Sequence, residues 1–512
     1  MTQIGVIQSL QRSATPASSI NFMSGGSNGR PIIVRGWRNL LILFSLCMAT
    51  AIASQAQTFR IVLSFNGTNG SEPNGPLVQG FDGNLYGTTA GGGSQDKGTV
   101  FKVTPPGTLT TIYSFCSQTN CADGGFPEAG LALGKDGNFY GTTSYGGAAG
   151  DGTIFKITPR GVLSTLHNFC SLTNCADGFG LYTPLMQARD GNFYGASPTG
   201  GIEGSHCFRL CGMVFKITPT GKFTIVYHFC SQTNCADGYS PNAVVQATDG
   251  KLYGTTAYSP NSYGNGGTVF RLSTAGALTT LYSFCAESNC TGGDSPRAAL
   301  TQGSDGNLYG TTAYGLVNDT DAGTVFKITT SGVLTTFYGF CAQTTCSDGA
   351  DPQSQLIQAT DGNFYATTIY RGTLNGGTLY KLTPGGTLTV LHDFPSWRID
   401  VPGVMQATDG NFYGEAQDGT KGYYGIIFKE STGLSPFVET LPTSGVVGAK
   451  VTILGTNLTG ATTVSFNGTV ATYTVVSSSE ITTTVPTGAT TGTVKVATPT
   501  KTLSSNMVFR VR

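Results

Sequence analysis

The sequence predicts an all-β fold: a seven-bladed β-propeller closed by an N-terminal strand, followed by a smaller β domain. A turn motif recurs seven times, each repeat contains four strand-like segments, and the last repeat lacks a fourth strand that the N-terminus can supply. The predicted domains are an N-terminal extension with a signal peptide over residues 1–56, the propeller over 57–432 and the small domain over 433–512.

The recurring turn is Asp-Gly-Asn, once Asp-Gly-Lys, followed by an aromatic residue or Leu and then Tyr. Successive copies begin roughly 48–59 residues apart, a period typical of propellers, solenoids and other repeat arrays. The turn aspartates are Asp82, Asp136, Asp190, Asp249, Asp305, Asp361 and Asp409. We expect each to cap its own turn, because Ca²⁺ requires roughly six to eight converging oxygen ligands and one aspartate does not supply them.

The second repeat shows the four predicted strands. Runs of apolar, aromatic and β-branched residues are separated by turns rich in Gly, Pro and Asp. These runs cover residues 130–133, 138–143, 153–157 and 162–169. Because no helical periodicity interrupts them, each repeat predicts one four-stranded antiparallel blade.

The two ends of the repeat array are out of phase. The seventh repeat stops after its third strand, at residues 425–429. Residues 59–65 resemble 109–115, the fourth strand of the first repeat, yet they precede every turn motif. We therefore expect the N-terminal strand to complete the seventh blade, which protects strand edges that would otherwise promote aggregation.

The connectivity separates the loops onto two faces. Turns after the first and third strands share one face, and the more variable loops after the second and fourth strands share the other. Binding residues concentrate on variable loops of a rigid scaffold, so we expect function on the second face. Four tyrosines, each nine residues after its turn aspartate, are the candidate ligand-binding residues: Tyr145, Tyr258, Tyr314 and Tyr370. The alternative is that these rings fill gaps between blades.

Twelve of the 13 cysteines form six close pairs, which in an exported chain predicts short disulfide loops. The predicted disulfides are Cys116–Cys121, Cys170–Cys175, Cys207–Cys211, Cys230–Cys235, Cys285–Cys290 and Cys341–Cys346. Zinc is the alternative, but the 4 His residues cannot complete the ligand sets of six thiolate pairs. We therefore expect neither a metal nor a cofactor.

The N-terminus predicts export. Arg30, Arg35 and Arg38 precede an apolar stretch at 40–53. Small residues suitable for signal cleavage lie at the end of this stretch. An uncleaved anchor is the alternative; after cleavage we expect no membrane span. Met23 is a more ordinary start than Met1.

The charge composition argues against nucleic acid as a partner. Lys and Arg number 28, Asp and Glu also number 28, and charged residues make up 11% of the chain. Phosphate binding requires a clustered cationic surface, which this composition does not favour. We expect a monomer.

No catalytic residue is predicted. His167 and His392 fall where other repeats carry Tyr, which indicates packing variants. Carboxylates on the variable face are Glu128, Glu203, Asp294 and Asp351. Nothing in their spacing pairs them as a glycoside hydrolase requires.

The repeat, with its DGN-[LF]-YGTT and GT[VI]FK[IV]T segments, resembles the Gloeobacter/Verrucomicrobia ("GloVer") tandem repeat of exported bacterial proteins over about residues 58–430. Segments 442–445, 451–457 and 464–468 resemble an IPT/TIG domain, a small immunoglobulin-like β-sandwich, over roughly 436–512. The second resemblance implies a spacer or a partner-contact module.

Together these observations predict a non-catalytic binding or scaffold protein that is secreted or associated with the cell surface. Its variable propeller loops would contact an extracellular glycan or protein. The alternative function is a polysaccharide-active lyase or hydrolase that uses the same face.

Overall fold

A computed structural model describes residues 57–203, 207, 211–260, 266–286, 290, 292–315, 322–395, 403–417 and 424–512. The predicted signal peptide and both possible start residues lie outside these residues. Within them, regular structure consists of strands and five short 3₁₀ turns. None of the helical turns in the described part is long and apolar enough to cross a membrane.

Seven antiparallel sheets follow one another along the repeat array. In chain order their strands are β1 (Thr58–Ser64); β2 (Ser71–Pro73), β3 (Val78–Gln79), β4 (Leu85–Gly91), β5 (Thr99–Val103), β6 (Leu109–Ser114); β7 (Ala132–Leu133), β8 (Phe139–Thr143), β9 (Thr153–Ile157), β10 (Leu163–Asn168); β11 (Met186–Gln187), β12 (Phe193–Ser197), β13 (Met213–Ile217), β14 (Phe223–His228); β15 (Tyr239–Gln246), β16 (Leu252–Tyr258), β17 (Thr268–Leu272), β18 (Leu278–Ser283); β19 (Thr301–Gln302), β20 (Leu308–Thr312), β21 (Thr324–Ile328), β22 (Leu334–Gly339); β23 (Ile357–Gln358), β24 (Phe364–Thr367), β25 (Thr378–Leu382), β26 (Leu388–Asp393); β27 (Val404–Gln406), β28 (Phe412–Ala416) and β29 (Ile426–Ser431).

The second sheet, β7–β10, matches the predicted strands to within two residues at every boundary. Its strand β8 contains a glycine, Gly141, that the packing requires. A Cβ atom on Gly141 would lie 2.5 Å from the ring of Phe155 on the adjacent strand. The Gly in the repeated Tyr-Gly-Thr segment therefore makes room for the core phenylalanine of the third strand.

Strand β1 belongs to the seventh sheet, whose order is β1–β29–β28–β27. It pairs antiparallel with β29, with Ile61 opposite Phe428. The ring of Phe59 stacks 5.2 Å from that of Phe428, so this strand contributes to the core of its sheet.

Glutamines on the innermost strands connect neighbouring sheets. The side-chain oxygen of each accepts a hydrogen bond from a backbone N–H in the preceding sheet, as Gln187 does from Lys135 at 2.9 Å. The other acceptors are Gln246, Gln302, Gln358, Gln406 and Gln79. Gln79 of the first sheet bonds Thr408 of the seventh at 2.9 Å, which places these two sheets side by side. The second sheet has Leu133 at this position.

The C-terminal domain consists of two four-stranded sheets and one short parallel pair. Its strands are β30 (Glu439–Leu441), β31 (Ser444–Gly445), β32 (Lys450–Leu454), β33 (Thr463–Phe466), β34 (Thr469–Ala471), β35 (Tyr473–Val475), β36 (Glu480–Thr484), β37 (Val494–Ala497), β38 (Thr502–Ser504) and β39 (Arg510–Val511). The sheets β30–β32–β36–β35 and β34–β33–β37–β38 enclose one core that includes Ile453, Val464 and Phe466. This is the packing of a small β-sandwich.

Candidate functional site

Each turn aspartate accepts a hydrogen bond from the backbone N–H two residues later, at the start of the second strand of its repeat. In the second repeat, Asp136 accepts hydrogen bonds from the backbone N–H of Asn138 at 3.2 Å, the Tyr140 hydroxyl at 2.8 Å and the Lys156 ammonium at 2.8 Å. Although burial alone would raise it, these donors hold the pKa of Asp136 at about 2. The same Asp–Tyr hydrogen bond recurs in all seven repeats.

In several repeats a lysine of the third strand forms an ion pair with the turn aspartate. Ion pairs join Lys156 to Asp136 and Lys327 to Asp305, each at 2.8 Å, and Lys429 to Asp409 at 3.6 Å. These hydrogen bonds and ion pairs give the turn aspartates a structural role within their own sheets.

Buried aspartates that sequence reasoning missed follow four of the disulfide loops. The structure joins all six predicted cysteine pairs as disulfides. Two residues after the first disulfide loop, the fully buried Asp123 accepts hydrogen bonds from the Tyr113 hydroxyl at 2.7 Å and the Ser117 N–H at 2.9 Å. Equivalent buried residues are Asp177, Asp237 and Asp348. The recurring Cys-x-Asp-Gly segment was the available signal.

His167 and His392 pack against aromatic rings, in the positions that Tyr fills in other repeats. His167 replaces Tyr113 in the second repeat, and its Nε2 lies 3.1 Å from the carboxylate of Asp177. Its ring stacks on Phe223 at 4.0 Å, and burial lowers its pKa despite the attraction of Asp177. His392 stacks on Phe59 at 3.5 Å.

A cavity of about 560 Å³ lies on the variable face, and described residues of the first six repeats line it. Each contributes the residue at the same repeat position, shortly before the innermost strand or, for Asn242, within it. These partly exposed residues are Asn74, Glu128, Tyr182, Asn242, Arg297 and Gln353. We call this set the axial ring. All six side chains are polar or aromatic, and only Asn occurs twice.

The backbone behind the axial ring has the same conformation in these six repeats. Two positions before each ring residue, φ is positive, from 53° at Phe126 to 58° at Gly180. Five of the six residues at this position are not glycine: Glu72, Phe126, Ser240, Ser295 and Asp351. Left-handed backbone at non-glycine residues costs free energy, and such strain concentrates at functional sites.

The axial ring contains one positive and one negative charge. Arg297 donates to the Tyr314 hydroxyl at 3.3 Å, and Glu128 accepts from the Ser144 hydroxyl at 2.9 Å. Burial raises the pKa of Tyr182, with Glu128 adding to the increase and Arg297 opposing it. The tyrosine therefore stays neutral at physiological pH while half of its surface remains exposed.

The structure does not bring the four predicted tyrosines together in one cavity. Of the four, Tyr258 lines the cavity, and the Tyr314 hydroxyl accepts a hydrogen bond from Arg297, which also lines it. Tyr145 and Tyr370 are 42% and 49% exposed and lie outside the lining. Three of them bridge neighbouring loops through their backbones, pairing with Gly125, Asp294 and Ala350. Spacing along the chain predicted which loops these tyrosines occupy but not which side chains meet there.

The predicted carboxylates also separate. Glu128 is the acidic residue among the described residues that line the cavity. Asp294 is buried and accepts from the Gly266 N–H at 2.7 Å, whereas Glu203 is exposed on a loop. Asp351 is buried and accepts from the Gln353 amide at 2.9 Å.

The C-terminal domain covers the opposite end of the array. A second cavity of about 600 Å³ is lined by innermost-strand residues such as Met186 and Met405 together with Leu441, Pro442 and Leu454 of that domain. Ser479 donates to the Phe81 carbonyl at 2.8 Å, and the Phe437 N–H donates to that of Thr408 at 3.1 Å. These contacts fix the small domain on the turn face.

The chain belongs to the Gloeobacter/Verrucomicrobia repeat family, which matches residues 47–236 and 209–428. Residues 435–511 match the IPT/TIG domain. Both resemblances predicted from the sequence are thereby confirmed, as is an all-β fold of propeller-type sheets with an immunoglobulin-like domain. No curated protein matches this chain significantly.

Several solved structures are similar to the chain at low identity. A puromycin hydrolase is 11% identical with a TM-score of 0.46; the match covers 77% of this chain but only 61% of the hydrolase. The polysaccharide lyase Uly1 is 15% identical with a TM-score of 0.42, covering 70% of this chain and 89% of the lyase. The β-propeller domain of the trilobed protease from Pyrococcus furiosus is 8% identical with a TM-score of 0.41, covering 70% and 92% of the two chains.

Proposed function

We propose that this protein is an exported, non-catalytic binding protein whose axial ring holds an extracellular glycan. The observation that carries the proposal is the contrast within each repeat. Neighbouring backbone angles repeat from sheet to sheet, whereas the ring side chain changes from Asn to Glu, Tyr, Arg or Gln. A surface that keeps its backbone while varying its side chains is suited to recognition of an asymmetric ligand.

The proposal rests on a closed seven-bladed propeller. The pairing of β1 with β29 and the Gln79–Thr408 hydrogen bond support closure between the seventh and first sheets. In such a ring the innermost strands surround one axis, so residues about one repeat apart converge at a single mouth. The disulfides are compatible with an oxidising, extracellular location.

A sugar fits the chemistry of the axial ring. Asn, Gln and Tyr supply both donors and acceptors for hydroxyl groups, and an aromatic ring packs against the apolar face of a pyranose. The volume of about 560 Å³ lies in the ordinary range for small-ligand sites. A protein ligand remains the alternative occupant of the same face.

The polysaccharide-active enzyme is the weaker candidate. A hydrolase requires two carboxyl groups across the scissile bond, and the described lining contains Glu128 alone. The raised pKa of Tyr182 disfavours its use as a general base near neutral pH.

A glycan array followed by titration calorimetry tests the proposal. For a glycan that binds, we expect Tyr182→Ala combined with Arg297→Ala to weaken affinity by about tenfold or more, because aromatic and Arg side chains dominate such contacts. The matched control is Tyr145→Ala combined with Tyr370→Ala, which removes two exposed aromatic residues outside the cavity.

The two variants also separate the axial ring from the tyrosines selected by sequence spacing. Loss of affinity in the control pair alone would move the site to the outer loops. Glycosidic bond cleavage detected by reducing-end assay would replace the binding function with the enzymatic one.

A further inference from the structure

A third cavity, of about 690 Å³, separates the C-terminal domain from the turn face of the repeat array. One wall is the outer surface of the sheet β30–β32–β36–β35, and Lys135, in the turn after β7, contributes from the other side. We call this cavity the interdomain groove. It is distinct from the axial ring, which lies at the other end of the repeat sheets.

Hydroxyl groups cover the wall formed by the small domain. Thr452, Thr482 and Thr474 lie opposite one another on three adjacent strands, and Thr484 lies opposite Lys450 in the next row. Their sequence neighbours Val451 and Ile481 point into the core, so the alternation directs the threonines outward. Thr474 is exposed, and the other three threonines are partly exposed.

The groove is cationic. Lys135 and Lys450 are both exposed, and no Asp or Glu occurs among the described residues that line it. Neither lysine takes part in an ion pair within the described part of the chain. Although the Lys135 residue is exposed, partial desolvation of its ammonium group lowers its pKa; Asp190 opposes this change and Arg512 adds to it.

One further cationic residue, Arg510, has its backbone next to this junction. Arg510 donates its backbone N–H to the Thr443 carbonyl at 3.0 Å, beside Leu441 and Pro442, which line the groove. The two carboxyls on the same sheet face, Glu439 and Glu480, line other cavities, and burial raises the pKa of each. Positive charge and outward-facing threonine hydroxyl groups therefore meet at one concave surface, although the formal net charge of the chain is zero.

We propose that the interdomain groove binds a segment of an acidic polysaccharide. Uronate carboxylates contact Lys135 and Lys450, and sugar hydroxyls bond the threonine rows. Threonine hydroxyls both donate and accept, as sugar hydroxyls do, and ammonium groups form charge-assisted hydrogen bonds with carboxylates. The C-terminal domain is then a second binding element rather than a spacer alone.

Calorimetric titration of the full chain with a galacturonate hexamer tests this site, with cellohexaose as the neutral probe. We expect the acidic hexamer to bind, and to bind less tightly as salt rises from about 50 to 300 mM, because salt screens exposed charges. Replacing both lysines (Lys135→Gln, Lys450→Gln) should weaken binding by about fivefold or more. Thr482→Val should weaken binding by about threefold, because it replaces the hydroxyl with a methyl group of similar volume.

The matched control replaces two exposed lysines elsewhere on the turn face (Lys222→Gln, Lys251→Gln) and should leave affinity unchanged. Because all four lysines are exposed, both double variants should melt like the parent. Failure of the acidic hexamer to bind the parent, equal binding of cellohexaose, or unchanged affinity in the Lys135/Lys450 variant would each overturn the proposal. So would a loss caused by Arg297→Ala, which would assign the acidic ligand to the axial ring and leave the groove without one.

Discussion

The second and seventh sheets have the same backbone pattern but different origins. All four strands of the second come from one continuous repeat, whereas the seventh receives β1 from the other end of the chain. Their interiors also differ. At equivalent positions the second sheet buries Thr142 and Ile157, and the seventh buries the carboxyl groups of Glu415 and Glu430.

The comparison shows that the sheet built from both ends of the chain buries carboxyl groups at positions where the continuous repeat buries uncharged side chains. Glu415 accepts a hydrogen bond from the Gly75 N–H of the first sheet at 3.4 Å, and burial raises its pKa well above the ordinary value. Burial also raises the pKa of Glu430 to about 7, against a lowering contribution from Gln57. Because buried carboxylates are costly when ionised, we infer that the seventh sheet is the less stable of the two at neutral pH.

Deleting residues 57–66 should have the largest effect. The deletion removes β1, exposes the edge of β29 and takes Phe59 away from Phe428 and Phe394. We expect aggregation or a large loss of thermal stability. Size-exclusion chromatography and calorimetry check this, with the substitution Ile61→Ser at a 45% exposed position as the control. A monomeric deletion variant that melts like the parent would contradict closure by this strand.

Glu430→Leu should stabilise the seventh sheet near neutral pH. Leu272 and Leu382 occupy this position in the fourth and sixth sheets. The pKa of Glu430 is higher in the folded protein than its ordinary value of 4.5, so the folded state binds the proton more tightly. Its contribution to stability is complete below pH 4.5 and is lost as pH rises to about 7, on the order of 3 kcal/mol.

Denaturant unfolding of the variant across this pH range should therefore show a smaller decline in unfolding free energy than the parent does. Glu203→Leu, at an exposed carboxylate, is the matched control and should leave the decline unchanged. A variant whose unfolding free energy falls as steeply as the parent's would show that Glu430 is not the titrating group.

Asp136→Ala should destabilise the second sheet by about 2 kcal/mol, because the buried Tyr140 hydroxyl and the Asn138 N–H lose their acceptor. Asp136→Asn retains an acceptor oxygen and should cost about half as much. Thermal unfolding checks both variants. Equal stability of the parent and the Ala variant would show that the turn network contributes nothing to the free energy of unfolding. We expect the glycan affinity of the folded fraction to stay unchanged.

Leu133→Gln should give the smallest change. It supplies the second sheet with the glutamine that links the other sheets to their neighbours, and we expect a gain of about 0.5–1 kcal/mol. The reverse substitution Gln187→Leu, which removes one such bond, should lose a similar amount. If both variants unfold like the parent, the inter-sheet glutamines have no net effect on stability.

Local features of the sequence were sufficient to predict the strands, the turns and the disulfide partners. The turn motif gives the period, the apolar runs of the second repeat match β7–β10, and cysteines five residues apart can reach one another within a single loop. The family was also recognisable from the repeated segments. Each of these inferences depends on residues close together in the chain, where turn chemistry and strand alternation decide the outcome.

Tertiary structure alone decided which distant residues meet. Glu128, Tyr182 and Arg297 share a cavity because each lies at the same position of a different sheet, and their varied identities hide this relationship from pattern matching. Tyr145 and Tyr370 obey the sequence period yet lie outside that cavity. The period fixes which loop a side chain occupies, but its direction follows from packing between sheets. The groove containing Lys135 and Lys450 likewise exists only because the C-terminal domain packs on the turn face, a contact between segments hundreds of residues apart.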